Sequence, residues 1–158
     1  MNILGIETSC DETAASVVKD GRTILSNIVS SSLKDHSRYG GIIPEIASRR
    51  QIEFIHTVVQ EALKEARVGP QDLDAIAVTQ SPGLIGSLLV GVSFARAFSF
   101  ALGKPLVEVD HIKAHLYANF LDPQDTMETV LPRLPAIGLV VSGGHSSLFY
   151  MKAFDRFV

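Results

Sequence analysis

The 158 residues predict an α/β fold: a mixed sheet that opens with a three-stranded meander and is extended by two helix–strand crossovers. Three observations predict it. A short apolar run at the N-terminus is followed by two β-rich segments joined through Asp20-Gly21, a strong tight-hairpin signal. Apolar residues then recur at three- and four-residue intervals from Glu45 to Arg67, a spacing that only a helix gathers onto one face. Beyond that point strand, helix and strand alternate, which is the pattern of parallel crossovers.

Each element has its own reason. Asn2 to Glu7 is short, apolar and bounded by polar residues, so it reads as a buried strand. Thr13 to Lys19, rich in Ala and Val, is the second strand, and Arg22 to Ser30, with Ile24, Leu25, Ile28 and Val29, is the third. Ser31 to Ile43 is a loop carrying Tyr39-Gly40-Gly41, and Pro44 stands where a first helical turn tolerates it. Ile52, Ile55, Val59, Ala62 and Ala66 mark the helix to Arg67, which Gly69-Pro70 stops. Leu73 to Thr79 is a strand, Leu84 to Leu102 a buried helix, and Pro105 to Val109 a further strand. His111 to Phe120 is a short helix. Asp122 to Pro135, with three prolines, is a connector, and Ala136 to Val141, a glycine turn and Ser146 to Lys152 form a new hairpin.

This order, β-β-β-α-β-α-β, is the lobe architecture of ribonuclease-H-like folds. Actin, sugar kinases and heat-shock ATPases build nucleotide sites from two such lobes. Strand, polar turn, strand occurs at Asn2 to Thr13 and echoes weakly at Ile137 to Ser146. The expected organisation is therefore a first lobe over 1–121, a connector over 122–135, and the start of a second lobe over 136–158, truncated after one hairpin.

Composition narrows the class. At 46% hydrophobic and 20% charged residues the chain buries a real core and is not disordered. A net charge of -3 argues against gripping nucleic acid through global charge. The lone Cys10 excludes an internal disulfide and suits a reducing compartment. No cationic segment precedes the first apolar run, so it is no signal peptide. Leu84 to Leu102 is the one stretch that resembles a membrane span, but Arg96 within it would cost roughly 3 kcal/mol at a bilayer centre. The expectation is a cytoplasmic protein with no membrane partner.

Four constellations carry chemistry. His111 and His115 stand four apart, on one face of a helix, at a separation that one metal ion bridges. Zinc peptidases place Glu directly after the first His, whereas Ile112 stands here, so a peptidase would lack its base. No third ligand is evident, and two surface histidines at chance spacing give the same pattern. Ser142-Gly143-Gly144-His145 reads either as a hairpin turn or as a backbone cradle for an anion. In Thr8-Ser9-Cys10-Asp11-Glu12-Thr13 the two carboxylates either position a hydrated cation on a polyphosphate or are exposed turn residues. Ser81-Pro82-Gly83-Leu84-Ile85-Gly86 leads a strand into a helix, either as an anion site or so that Gly86 and Gly91 pack tightly on the sheet.

Taken together these segments resemble one family. Gly5 to Thr13, Tyr39-Gly40-Gly41, Pro44-Glu45 with Ala47, Ser48 and Arg49, Pro82-Gly83-Leu84 with Gly86, Leu88 to Gly91, the pair His111 and His115, and Val140 to His145 all match, in order, the tRNA threonylcarbamoyladenosine transferases (TsaD, formerly Gcp or O-sialoglycoprotein endopeptidase). The resemblance implies a two-lobed fold of the actin-like ATPase superfamily. It implies transfer of a threonylcarbamoyl group from threonylcarbamoyl-adenylate to the N6 amine of the adenosine beside the anticodon, in tRNAs reading codons that begin with adenine. It further implies one iron or zinc ion on His111 and His115, a substrate loop at Val140, Val141, Ser142, Gly143 and Gly144, and an adenylate- or ATP-type ligand. Asp11 and Glu12 are the candidates for positioning or proton handling. Family members run to about twice this length, and the half beyond carries a third metal ligand, so this chain alone is expected to be inactive.

The partners implied are a smaller homologue of the same fold, docked through helices of the first lobe, an ATPase and the tRNA. The alternative is a silent scaffold homologue. In this sequence Ile52, Phe54, Ile55, Val58 and Val59 occupy more than one helical face, and the surplus beyond the sheet's need is the expected docking surface.

Overall fold

The computed structural model describes residues 1–122, 132–142, 146–154 and 156–158. The meander is formed by β1 (Asn2–Glu7), β2 (Glu12–Lys19) and β3 (Thr23–Ser31). A one-turn helix α1 (Leu33–His36) leads to the long α2 (Pro44–Ala66), then β4 (Ala75–Ser81), α3 (Ile85–Leu102), β5 (Leu106–Asp110) and α4 (His111–Tyr117). A second sheet holds β6 (Ala136–Val141), β7 (Ser146–Ala153) and β8 (Arg156–Phe157).

The first sheet has the order β3-β2-β1-β4-β5, antiparallel through the meander and parallel from β1 across β4 to β5. Its register aligns the apolar side chains. Leu4 lies opposite both Val17 and Ile76, and Ile6 opposite both Ala15 and Val78. Strand side chains alternate faces, so all six point the same way. That face is the core, and Ile55, Val58, Val59, Ala62 and Leu63 of α2 cover it with Ala95 of α3. The hairpin signal holds: Asp20 and Gly21 both sit at positive φ, at 53° and 69°, as a two-residue turn matched to strand twist requires.

The ends of α2 follow from its chemistry. Pro44 occupies the first turn, where its missing N–H costs nothing. At the other end Arg67 adopts φ 55°, and the Val68 N–H closes onto the Leu63 carbonyl at 3.1 Å, so the helix stops before Gly69-Pro70 is reached. Within the segment read as a loop, α1 and a short 3-10 turn (Ser37–Tyr39) are tied to α2 by Arg50, whose guanidinium meets Asp35 at 2.9 Å. Elements this short carry no periodic signal, which is also why β8 has none.

The α3 helix corrects an expectation. It is not buried all round. Its fully buried residues are Ser87, Gly91, Ala95 and Ser99, a stripe of small side chains at every fourth position, whereas Ile85, Leu89 and Phe100 are 85, 64 and 90% exposed. The stripe exists for close approach: a Cβ at Gly91 would lie 2.3 Å from Thr8 Oγ1, and Thr8 itself donates to the Ser87 carbonyl at 2.8 Å. The helix has the length and hydropathy of a membrane span, yet its small face lies on the sheet and Arg96 meets Glu108 of β5 at 3.8 Å. Gly91→Val forces a branched side chain into this contact. It is expected to destabilise the protein by about 1–3 kcal/mol, the usual cost of overpacking, read as a lower denaturation midpoint. An unchanged midpoint would mean that helix and sheet separate without penalty.

The α2 helix corrects another. Ile55, Val58 and Val59 are core residues, at most 5% exposed, while Ile52 and Phe54 are 66 and 40% exposed. The apolar surplus is therefore Ile52 and Phe54, not Ile55 and Val58, because the periodic positions belong to the sheet. Gly86 of α3 sits against Ser48 of α2, where an added Cβ would meet the serine at 3.4 Å. The two helices thus lie side by side.

The second sheet rests on α4. Leu116 and Phe120 pack with Met151, Leu134, Val140 and Phe149, and a Cβ at Gly138 would come within 2.5 Å of Leu116 Cδ2. The other face of β6 and β7 is open: Ile137, Leu139, Val141 and Leu148 are each 64% or more exposed.

Candidate functional site

Because β1, β4 and β5 are parallel, their carboxyl ends share one edge of the sheet, the place where open α/β sheets form ligand crevices. Three segments leave that edge: the turn after Glu7, the loop Ser81–Leu84 after β4, and α4 directly after β5. Asp110 fixes the last by capping α4, its Oδ1 accepting from the Lys113 N–H at 2.9 Å. Gly83 lets the first two touch. A Cβ there would lie 2.6 Å from the Ser9 carbonyl oxygen, which instead accepts the Leu84 N–H at 2.7 Å.

The helix start at His111 places the two imidazoles one turn apart. Their Nε2 atoms converge to 3.1 Å, with the rings edge-on at 83°. Behind them, His111 Nδ1 lies 3.2 Å from Glu7 Oε2 and 3.2 Å from Ser9 Oγ. Burial pushes the Glu7 carboxyl up, but hydrogen bonds from Ser9, Thr79 and His111 outweigh it and hold the group below its usual value. Glu7 is therefore an anion at neutral pH. An anion accepts the Nδ1–H of His111 and leaves the Nε2 lone pair aimed at His115. Metal–nitrogen bonds of about 2.0–2.1 Å at a tetrahedral angle separate two ligand nitrogens by about 3.3 Å. The observed spacing fits such an ion within a few tenths of an ångström. Among the described residues, no third His, Cys, Asp or Glu joins the pair.

The histidines and Ser9 line a cleft of about 700 Å³ together with Cys10, Gly83, Ile112, Val140, Val141 and Ser142, and Glu7 lies behind it. The histidine pair is thereby brought together with part of each of the other three constellations singled out in the sequence. Gly143 and Gly144, with His145, lie outside the described residues. Asp11 and Glu12 do not line the cleft. The Asp11 carbonyl accepts from the Ser32 hydroxyl at 2.6 Å, and Glu12 opens β2 opposite Ser31. Asp11 reaches the cleft only through its neighbour: burial pushes the Cys10 thiol up, and the Asp11 carboxylate adds to it. The sequence reading missed the roles of Glu7 and Ser9 behind His111. Its one usable signal was a carboxylate ending an otherwise apolar strand.

Comparison with known proteins now decides the family. The model of TsaD, tRNA N6-adenosine threonylcarbamoyltransferase, matches residues 23–158. The chain belongs to this family. A relative of that description from Syntrophomonas wolfei is 56% identical over 150 residues, 95% of this chain and 42% of its own length. One from Fusobacterium nucleatum is 53% identical over 158 residues, 100% of this chain and 44% of its own. The chain thus spans less than half the length of these TsaD relatives. Among solved structures, YeaZ from Pseudomonas aeruginosa superposes with a TM-score of 0.52 at 22% identity, over 69% of this chain and 43% of that one, a likeness of fold.

Proposed function

We propose that this chain forms the first wall of a tRNA N6-adenosine threonylcarbamoyltransferase. The observation that carries the reading is the pair of Nε2 atoms converging in the cleft with an anionic Glu7 behind them. Residues 1–121 are then a ribonuclease-H-like lobe of the actin-like ATPase superfamily, 122–135 a connector, and 136–158 the opening of the second lobe, with an adenylate or ATP-type ligand between the two.

The reaction is acyl transfer from a mixed anhydride, already activated, to a weak aromatic amine. The protein therefore has mainly to orient donor and acceptor and to stabilise charge developing on the carbamoyl carbonyl. His111 and His115 would hold iron or zinc, both of which suit imidazole, and the chemistry such an ion would supply there is Lewis-acid polarisation. Glu7 and Ser9 fix the ring of His111, and Val140, Val141 and Ser142 line the same cleft as the start of a substrate loop that takes in Gly143 and Gly144. Asp11 and Glu12, outside the cleft lining, are left a positioning role through the β1–β2 turn.

The exposed Ile52, Ile85 and Leu89 on neighbouring helices suit a smaller homologue of the same fold. An ATPase and tRNA complete the set of partners, in the cytoplasm. Ile112 sits in the cleft where a zinc peptidase would need its carboxylate base, which disfavours proteolysis. The test uses the full-length protein, meaning this chain continued to the length of its relatives. Given threonylcarbamoyl-adenylate and tRNA, it should yield N6-threonylcarbamoyladenosine by nucleoside mass spectrometry. The 158-residue chain alone should yield none, since among the described residues the metal ligands stop at two histidines and the outer face of β6 and β7 is bare. No product from the full-length protein would overturn the reading, and product from the short chain would overturn the need for a second wall.

A further inference from the structure

Gln51 is fully buried on α2, yet it does not behave as a packing residue. Its Nε2 lies 3.3 Å from the Thr8 carbonyl, 3.0 Å from that of Cys10 and 3.1 Å from that of Glu12. Its Oε1 is buried and has no hydrogen-bond partner among the described residues. An apolar side chain of the same size would fill this space without stranding an acceptor, so the amide is held here for what its N–H groups do. They grip the whole β1–β2 turn. From the α3 side the same turn is held by Leu84 N on the Ser9 carbonyl and by Ser87 Oγ on that of Cys10. On the α2 side, among the described residues, the grip is Gln51.

That turn delivers two groups to the cleft: Ser9, whose hydroxyl meets His111 Nδ1 and whose N–H donates to Glu7, and Cys10, which lines the wall. We propose that Gln51 is a positioning residue for the cleft, setting the ring of His111 through the β1–β2 turn. The proposal rests on the reading of the histidine pair as the metal site. Its sense is mechanical: the amide offers two hydrogens to three carbonyls, so any shift of α2 along the sheet redistributes them and moves Ser9.

The test compares Gln51→Leu with Val59→Ala in the full-length protein, the second removing core volume from the same helix away from the turn. Amide hydrogen exchange over residues 8–12, cobalt(II) affinity and the visible spectrum of the cobalt(II) form are read for both. Gln51→Leu should speed exchange of the turn about tenfold, weaken cobalt(II) binding about tenfold, in the range of lost outer-shell contacts, and shift the spectrum. Val59→Ala should lower the melting temperature while leaving all three unchanged. Unchanged exchange in Gln51→Leu overturns the proposal, and so does faster exchange with cobalt(II) binding and spectrum intact, which would make the residue merely structural. If the unsubstituted protein binds no cobalt(II), the metal-site reading falls and the positioning role falls with it, whereas cobalt(II) binding without transfer activity sinks the function and leaves Gln51 still decided by these readouts.

Discussion

Replacing His111 by Ala in the full-length protein should lower threonylcarbamoyl transfer by at least about 10²-fold, since outer-shell partners alone are worth about 10–100-fold and His111 is proposed as a ligand itself. Metal content, read by elemental mass spectrometry, should fall with it. The circular dichroism spectrum should not change, because the His111 side chain is 27% exposed, starts its helix and belongs to neither apolar cluster. Glu7→Gln makes a graded companion. It keeps the shape but removes the charge that selects the His111 tautomer, and its loss should stay within about 10–100-fold. Full activity from a His111→Ala protein containing no metal would refute the assignment of the pair.

The second large effect concerns the flank of α2 and α3. Ile52→Glu combined with Leu89→Glu should abolish binding of the smaller homologue, each charge costing at least about 2 kcal/mol if these residues sit at the centre of the contact. That is roughly 30-fold per site in Kd. Both side chains are more than 60% exposed, so the doubly substituted protein should keep its melting temperature. Sedimentation of the mixture gives the answer, and unchanged pairing in a folded protein would place the interface elsewhere. The buried Ile55 and Val58 would have been a misleading choice, since a charge there destroys the core instead of the contact.

Much of the lobe could be read from local chemistry. The Asp20-Gly21 turn, the Pro44 start and the apolar repeat of α2 are local codes, and local codes survive without tertiary context. The burial of α3 was misread because hydropathy reports how apolar a helix is, not which face must come close. The small residues Ser87, Gly91, Ala95 and Ser99 carried that information at a spacing of four. The same distinction governed the site. His111 and His115 are one helical turn apart and so were legible, whereas Glu7 is 104 residues from His111 and becomes its neighbour only through the parallel pairing of β1, β4 and β5. Asp11 and Glu12 looked chemically rich in sequence, yet strand register and the bonds on their carbonyls set them beside the cleft wall, outside its lining.

The place of β1 in the sheet has a consequence for the order in which the molecule comes into being. A ribosome that has delivered the meander and α2 has made most of one core face but no crevice. Gly5 still awaits Ala77, the Ser9 carbonyl awaits the Leu84 amide, and the imidazole that will face Glu7 is tens of residues from being synthesised. Since β4 ends at Ser81, soon after α2 ends at Ala66, synthesis at roughly 5–20 residues per second leaves about one to three seconds in which β1 presents a bare parallel edge to its surroundings. The strand of this sheet that is made first is thus among the last to receive its final neighbours.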